Sequence, residues 1–492
     1  IGYLSADLQE HATTHLLAGV IEAHDARTFA VHLFSYGQVK DDAYRQRLRG
    51  ACTGFHDLSR DTDEAAARRI AAQGIDILVD LKGFTRNSRA GISALRPAPI
   101  IVNWLGYPGS LGHPRLADYL IGDPVVSPLV HADHYSETLA LMPHCYQPND
   151  RARVIGPTPT RAEAGLPETG FVFCSFNQTY KLNPEMFDLW CRLLDAVPGS
   201  VLWLLQPKAP VAVDNLRREA AARGIDPARL VFAENRPQAE HLGRLRLADL
   251  ALDTFPVTSH TTGSDALWAG VPLITKLGPT FVSRVAASLL HGVGLPALVA
   301  EDDAGYFALA LDLARHPGKL ADLRARLDNQ RLSAPLFDTL RFTRDLERLY
   351  QAIWAQAVMG IRRPIAAEST VRQATRLHGG IIAGTLGKVD AIAIGKALFK
   401  QATDAANAGR LSQAEALYRE VIALRPRATG AYNNLANLYS RMGRIEDAIQ
   451  AYGKALAIQP QHGHALSQFV HLRQMLAIWP DLHELSPRLL AL

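Results

Sequence analysis

DLALDTFPVTSHTTGSDALWAGVPLIT, Asp249 to Thr275, is the stretch on which the reading of this chain turns. Leu247 to Leu252, which leads into it, reads as a short buried strand. Ser264 to Ala269 reads as the start of a helix. Between them lie His260-Thr261-Thr262-Gly263, followed by Asp265. This hydroxyl-rich turn puts Thr261, Thr262 and the next backbone N–H groups at a helix N-terminus. Unbonded donors and the helix dipole both favour a phosphate there. An ordinary N-cap reads the same residues equally well.

Similar units lie on both sides. Toward the C-terminus come VPLITKLG and a helix from Phe281. Toward the N-terminus, Phe171–Asn177, Ser200–Pro207 and Arg229–Asn235 read as strands, with the helices NPEMFDLWCRLLDAVP and DNLRREAAARGI between them. A helix from about Phe342 to Ala357 ends this series. Before it stands a Pro- and Arg-rich stretch, Gln147 to Pro167, with the composition of a linker. Ahead of that, Phe29–Gly37, Asp76–Phe84, Ile100–Gly109 and Asp118–Asp123 read as strands, and Ala65–Ile75 as an amphipathic helix. Alternating β and α units imply parallel sheets covered by helices. The expectation is two Rossmann-like lobes, residues 1–150 and 151–360, with a ligand in the cleft between them.

Residues 361–392 are Gly- and Arg-rich and read as a linker. A repeat follows. Gly409-Arg410 recurs as Gly443-Arg444, Ala414 as Ala448, Tyr418 as Tyr452, Ala423 as Ala457 and Pro426 as Pro460, always 34 residues apart. That is the period of tetratricopeptide helix pairs. Two repeats, about 393–426 and 427–460, and a helical cap form a small all-α stack reaching residue 492. So short a stack is expected to pack on the α/β body.

The chain has 492 residues, 48% hydrophobic and 20% charged, with a formal net charge of +4. Its length fits about three units of roughly 150 residues each. The Arg residues are scattered, which argues against a nucleic-acid binder. Four cysteines, Cys52, Cys145, Cys174 and Cys191, form no CxxC pair and no metal-ligand spacing. They read as free thiols of a reducing compartment. No stretch approaches the roughly 18 apolar residues of a membrane span. Ile1-Gly2-Tyr3-Leu4 is strand-like, without the basic region of a signal peptide. A cytoplasmic protein is expected.

Several residues could carry chemistry. His11 follows the first strand, at the carboxyl edge where open α/β sheets bind ligands. It reads equally as a structural histidine. His15 lies four residues on, but no HExxH pattern supports a metal site. Lys181 follows the strand Phe171–Asn177 and shares its loop with Asn177, Gln178 and Tyr180. An ammonium beside amides suits a diphosphate and would stabilise its departure. A solvated surface lysine is the other reading. His241 and Arg244 could stack on and hydrogen-bond a nucleobase, or simply open an exposed helix. Gly106-Tyr107-Pro108-Gly109 could admit a ligand to the backbone, or be a tight turn.

Taken together, these segments resemble the O-GlcNAc transferase family of nucleotide-sugar glycosyltransferases, which modify Ser and Thr of proteins. The matching stretches include IGYLSADLQEHATTHLL, ALRPAPIIVNWLGYPGSLG, DYLIGDPVVSP, YSETLALMPHCYQPND, CSFNQTYKLNP, AEHLGRLRLADLALDT and SHTTGSDALWAGVPLIT. They cover about residues 1–357 and again 393–492. The resemblance implies a GT-B fold and inversion at the anomeric carbon without a metal or other cofactor. It implies that His241 stacks on uracil and Arg244 contacts the base. His260, Thr261 and Thr262 would cradle the diphosphate, and Asp265 would grip the ribose. Gln178 and Lys181 would bind the diphosphate from the other loop, with Tyr180 beside them. His11 would lie near the acceptor hydroxyl, as general base or as positioning group.

The implied activity is transfer of GlcNAc from UDP-GlcNAc to Ser or Thr. The partners are a nucleotide sugar and a protein acceptor reached through the repeats and cleft, with no nucleic acid and no membrane. The alternatives are a GDP-fucose or UDP-glucose donor on the same fold, a repeat scaffold with an inactive body, and a sugar-nucleotide epimerase. Two features depart from the family pattern. The repeats follow the lobes instead of preceding them, so the order looks permuted. Only the short Gln147–Pro167 linker joins the lobes where animal enzymes carry a large insert, a bacterial style.

Overall fold

A computed structural model of the chain describes residues 1–38, 40–366, 391–479 and 482–490. Most of the expected 361–392 linker, residues 367–390, lies outside the described residues. Two parallel sheets carry the first part of the chain. The first contains β1 (Gly2–Ser5), β2 (His32–Ser35), β3 (Gly54–Asp57), β4 (Ile77–Asp80), β5 (Ile100–Asn103), β6 (Tyr119–Gly122) and β7 (Thr138–Leu141). The second contains β8 (Val172–Ser175), β9 (Val201–Leu205), β10 (Leu230–Ala233), β11 (Leu250–Leu252), β12 (Leu273–Lys276) and β13 (Val299–Ala300). A late strand, β14 (Ile365–Ala366), returns to the first sheet beside β7.

The strand orders are β14-β7-β6-β5-β4-β1-β2-β3 and β10-β9-β8-β11-β12-β13. Apart from β14, each is a doubly wound order that reverses once, between β1 and β4 and between β8 and β11. The central strands GYLS, ILVD and IIVN are buried at every position. Helices on both faces require such continuous apolar runs. Edge strand β3 (GFHD) is only part-buried and mixes polar residues.

The helices of the first lobe are α1 (Ala12–Ala23), α2 (Ala43–Ala51), α3 (Asp63–Ala71) and α4 (Ala90–Ala94). Thr62 caps α3 by accepting from Ala65 N–H, and Asp63 and Glu64 fill its first turn, where negative charge suits the dipole. Leu4, Phe34, Leu78 and Ile101 of the sheet pack with Ala66, Ile70 and Ile92 of the helices into one buried core. Next in the chain come α5 (Pro184–Ala196), α6 (Pro210–Ala222), α7 (Gln238–Leu245), α8 (Thr261–Trp268), α9 (Val285–Gly292), α10 (Asp303–Arg315), α11 (Pro317–Gln330) and α12 (Thr339–Val358).

The last of these helices lies against the first sheet. The hydroxyl of Tyr350 is 3.2 Å from that of Tyr3, Phe342 stacks with Trp104, and Glu347 bonds His24 at 3.0 Å. The chain therefore crosses between lobes twice. The two crossings touch: Thr339 Oγ1 donates to Asn149 O at 2.7 Å, and Asn149 Nδ2 donates to Leu336 O at 3.3 Å.

Both sheets belong to one compact body. A second body gathers the helical repeats with Gln178–Phe187 and Pro207–Ala222. Besides α6, its helices are α13 (Ala391–Asn407), α14 (Leu411–Leu424), α15 (Thr429–Arg441), α16 (Ile445–Ile458), α17 (Gly463–Met475) and α18 (Leu482–Leu490). The 34-residue recurrence has a visible cause. Gly409 and Gly443 both sit at φ +76 in the turn inside each helix pair. Ala414 and Ala448 are fully buried where paired helices touch, and Tyr418 and Tyr452 fill the space beside them. Within this body Asn215 Nδ2 donates to Leu476 O at 2.7 Å, and Phe187 packs on Trp479.

Candidate active site

In a doubly wound sheet the helices leaving the two strands at the reversal go to opposite faces, which opens a crevice at the strands' carboxyl ends. Most site residues expected from sequence follow these strands, in the loops or at the helix starts beyond them, while two follow the edge strand β10. His11 follows β1. Asn177, Gln178, Tyr180 and Lys181 follow β8. His260, Thr261, Thr262 and Asp265 follow β11, while His241 and Arg244 sit on α7 after β10.

The turn before α8 is braced from below. Asp253 Oδ1 accepts from the Ser259 amide at 2.7 Å and the Ser259 hydroxyl at 2.6 Å. Asn177 Nδ2 donates to Ser259 Oγ at 2.8 Å, and Thr262 Oγ1 donates to Asn177 Oδ1 at 3.0 Å. The β8 and β11 loops are thus tied together. His260 is the N-cap residue and its side chain makes no capping bond, and the positive end of the α8 dipole opens at this turn.

Asp265 points back toward the interlobe segment. Its Oδ1 accepts from Arg153 Nη1 at 2.5 Å. The Arg153 side chain is 0% exposed and the Asp265 side chain 14%. Burial raises the Asp265 carboxyl, and Arg153 counteracts it.

His241 is set by Arg244. Nε and Nη2 of Arg244 lie 3.3 and 3.1 Å from His241 Nδ1, while Nη1 donates to Glu234 O at 2.6 Å. His241 Nδ1 is therefore an acceptor, and the neutral ring carries its proton on Nε2. Burial and then the guanidinium lower the ring's pKa to about 3. Phe176 meets His241 edge-on at 4.9 Å and also lies under Arg244. An uncharged, fixed imidazole plane results, which suits stacking on a base.

In the first lobe His11 caps α1, its Nδ1 accepting from Thr13 N–H at 3.2 Å. Asp7 Oδ2 lies farther, at 3.5 Å, and already accepts from Lys82 Nζ at 2.6 Å. The closer amide sets the tautomer, leaving the proton on Nε2. Burial lowers the ring's pKa, Asp7 opposing and Lys82 adding. His15 packs on Tyr44 with rings 4.7 Å apart, and no partner among the described residues meets its buried Nε2. Among the described residues no group of three His, Cys, Asp or Glu is placed to hold a metal. Gly106 lies against backbone, where a Cβ would come 1.9 Å from Leu81 O.

Gln178, Tyr180 and Lys181 belong to the second body. Lys181 closes a 3-10 turn, its amide bonding Gln178 O at 2.9 Å, and the Tyr180 ring lies 4.9 Å from that of His471. Sequence reasoning missed Asp7 and Lys82, although both leave switch-point strands and the same rule finds them. It also missed Arg153, hidden in the apparent linker, and the bracing pair Asp253 and Ser259.

The profile of glycosyl transferase family 41 matches residues 1–156 and 154–346. The chain belongs to glycosyl transferase family 41. A tetratricopeptide repeat profile matches residues 430–462. Among curated relatives of this family 41 chain is a probable UDP-N-acetylglucosamine–peptide N-acetylglucosaminyltransferase SEC of Arabidopsis thaliana. It is 40% identical over 362 residues, 72% of this chain and 37% of that protein. The UDP-N-acetylglucosamine–peptide N-acetylglucosaminyltransferase of Caenorhabditis elegans is 30% identical over 474 residues, 73% of this chain and 41% of that protein. This chain thus spans less than half the length of either. A solved Thermobaculum terrenum O-GlcNAc transferase mutant superposes with a TM-score of 0.68 at 34% identity, covering 73% of this chain and 68% of that one. The GT-B lobes with a tetratricopeptide helical stack are those of this family.

Proposed function

We propose that this family 41 chain is an inverting glycosyltransferase that moves GlcNAc from UDP-GlcNAc to Ser or Thr hydroxyls of proteins. One observation carries the reading. At the carboxyl edge of the second sheet, α7 carries an uncharged imidazole, and α8 offers its start, without a side-chain cap, and a largely buried carboxylate, groups that suit a nucleotide diphosphate.

In the proposed binding mode His241 stacks on uracil and Arg244 contacts the base. Asp265 takes a ribose hydroxyl. His260, Thr261 and Thr262 cradle the diphosphate with the first amides of α8, and Gln178 and Lys181 contact it from the β8 loop with Tyr180 beside them. The acceptor oxygen attacks C1 from the face opposite the leaving group. The C1–O bond to UDP breaks, UDP departs with the bonding electron pair, and the hydroxyl proton passes to solvent water. Lys181 and the α8 amides offset the charge gathering on the diphosphate, and fixed donors aimed at developing charge usually lower a barrier more than any other device in an active site. His11 lies near the acceptor. With its proton on Nε2 it donates a hydrogen bond and positions the acceptor rather than removing its proton. The helical repeats offer the acceptor protein a binding surface.

The test is direct. Purified protein is incubated with Ser/Thr peptides and UDP-GlcNAc, UDP-glucose or GDP-fucose, and products are read by mass spectrometry. Addition of one N-acetylhexosamine, with inverted linkage by NMR, is expected. Preferential transfer of fucose, or glucose on Asn, would overturn it.

A further inference from the structure

Arg153 lies in the segment that joins the lobes and is far more constrained than a linker residue. Every arm of its guanidinium is engaged. Nη1 donates to Asp265 Oδ1 at 2.5 Å, Nη2 to Asn149 Oδ1 at 3.0 Å, and Nε to Asp150 O at 3.3 Å. The Trp268 ring lies 5.4 Å away. Its anchors are themselves fixed: Asp150 pairs with Arg47 of α2, and Asn149 is bonded to the start of α12. The guanidinium is wholly buried while the carboxylate it holds keeps some exposure. A strut joining two lobes would need no such asymmetry.

We infer that Arg153 is a positioning residue for the donor: it holds one oxygen of Asp265 so that the other faces the ribose hydroxyls of the nucleotide. The inference rests on the proposed ribose contact of Asp265. A charged acceptor held at one oxygen cannot rotate away, and hydrogen bonds to charged groups are the strong ones. An arginine is required because it reaches Asp265, Asn149 and Asp150 from one planar fork, which a lysine cannot do.

Binding of UDP, 2′-deoxy-UDP and 3′-deoxy-UDP is measured by calorimetry on the whole chain and on its Arg153→Ala, Arg153→Lys and Asp265→Asn variants. The wild type is expected to prefer UDP over at least one deoxy analogue by roughly 10- to 100-fold, the range for a hydrogen bond to a charged group. In Arg153→Ala that preference falls toward unity, as in Asp265→Asn, while binding of the deoxy analogue changes little. Arg153→Lys, with less disruption of the buried site, shows the same loss and serves if the alanine variant does not fold. A matching split in kinetics is expected: KM for the donor sugar rises while kcat changes less. If the wild type does not discriminate among the three nucleotides, the ribose role of Asp265 is wrong. If it discriminates, and Arg153→Ala or Arg153→Lys discriminates equally, Asp265 holds the ribose without Arg153 and the inference fails.

Discussion

At the scale of single residues the site depends on which groups are charged. His241 is kept neutral by burial and by Arg244, with a pKa of about 3. His15 is lowered to about 4 by burial and then Arg153. In the unfolded chain both titrate near 6.5. Between these values the unfolded state binds more protons, so stability rises with pH and is lost as pH falls from about 6.5 toward 4. The melting temperature is expected to drop across that window, and a His15→Gln, His241→Gln variant to show a flatter slope. An equal slope in the variant would place the acid sensitivity elsewhere. In the proposed mechanism Lys181 bears on chemistry rather than stability. Lys181→Ala is expected to lower kcat by about 100-fold or more, the scale of one electrostatic stabiliser, with an unchanged melting temperature. Near-normal turnover would remove Lys181 from the mechanism.

At the scale of elements, the glycines of the repeats offer a clean measurement. Gly443 occupies φ +76, which a Cβ disfavours by about 1–2 kcal/mol. Nothing lies within 4 Å of a Cβ placed there, so Gly443→Ala isolates the backbone cost. Urea unfolding of the repeats followed by circular dichroism is expected to show that loss. The 34-residue spacing made this turn readable in advance, because a left-handed position leaves a glycine in the sequence. The central strands were equally readable, since burial on both faces writes an unbroken apolar run. Strands β3 (GFHD) and β7 (TLAL) escaped, β3 because it is a polar edge. The turn before α8 was legible as a helix start, since Thr261 and Thr262 open the helix. The partners that orient the site were not. Arg153 meets Asp265 across 112 residues, and no local pattern records a contact of that range.

At the scale of the whole molecule, α12 belongs to the first lobe by contact although it follows the second in sequence. Phe342, Leu346, Leu349, Tyr350 and Ile353 are all buried. At about 1.5–3 kcal/mol each, their cover rivals the roughly 5–15 kcal/mol by which whole domains are stable. A chain ending at Phe337 is therefore expected to be insoluble or to lack a cooperative melt by calorimetry. A sharp, near-native transition would show that the first sheet closes without it.

The two passages between the lobes run side by side, with Thr339 bonded to Asn149 and Arg151 N–H bonded to Thr339 Oγ1 at 3.1 Å. Two tethers fastened at one point act as a pivot. Such a double fastening resists sliding of one lobe past the other more than it resists rotation about the fastening. Arg153 lies two residues beyond Arg151 and so stays close to that fastening, which keeps its bond to Asp265 in place whatever the lobes do.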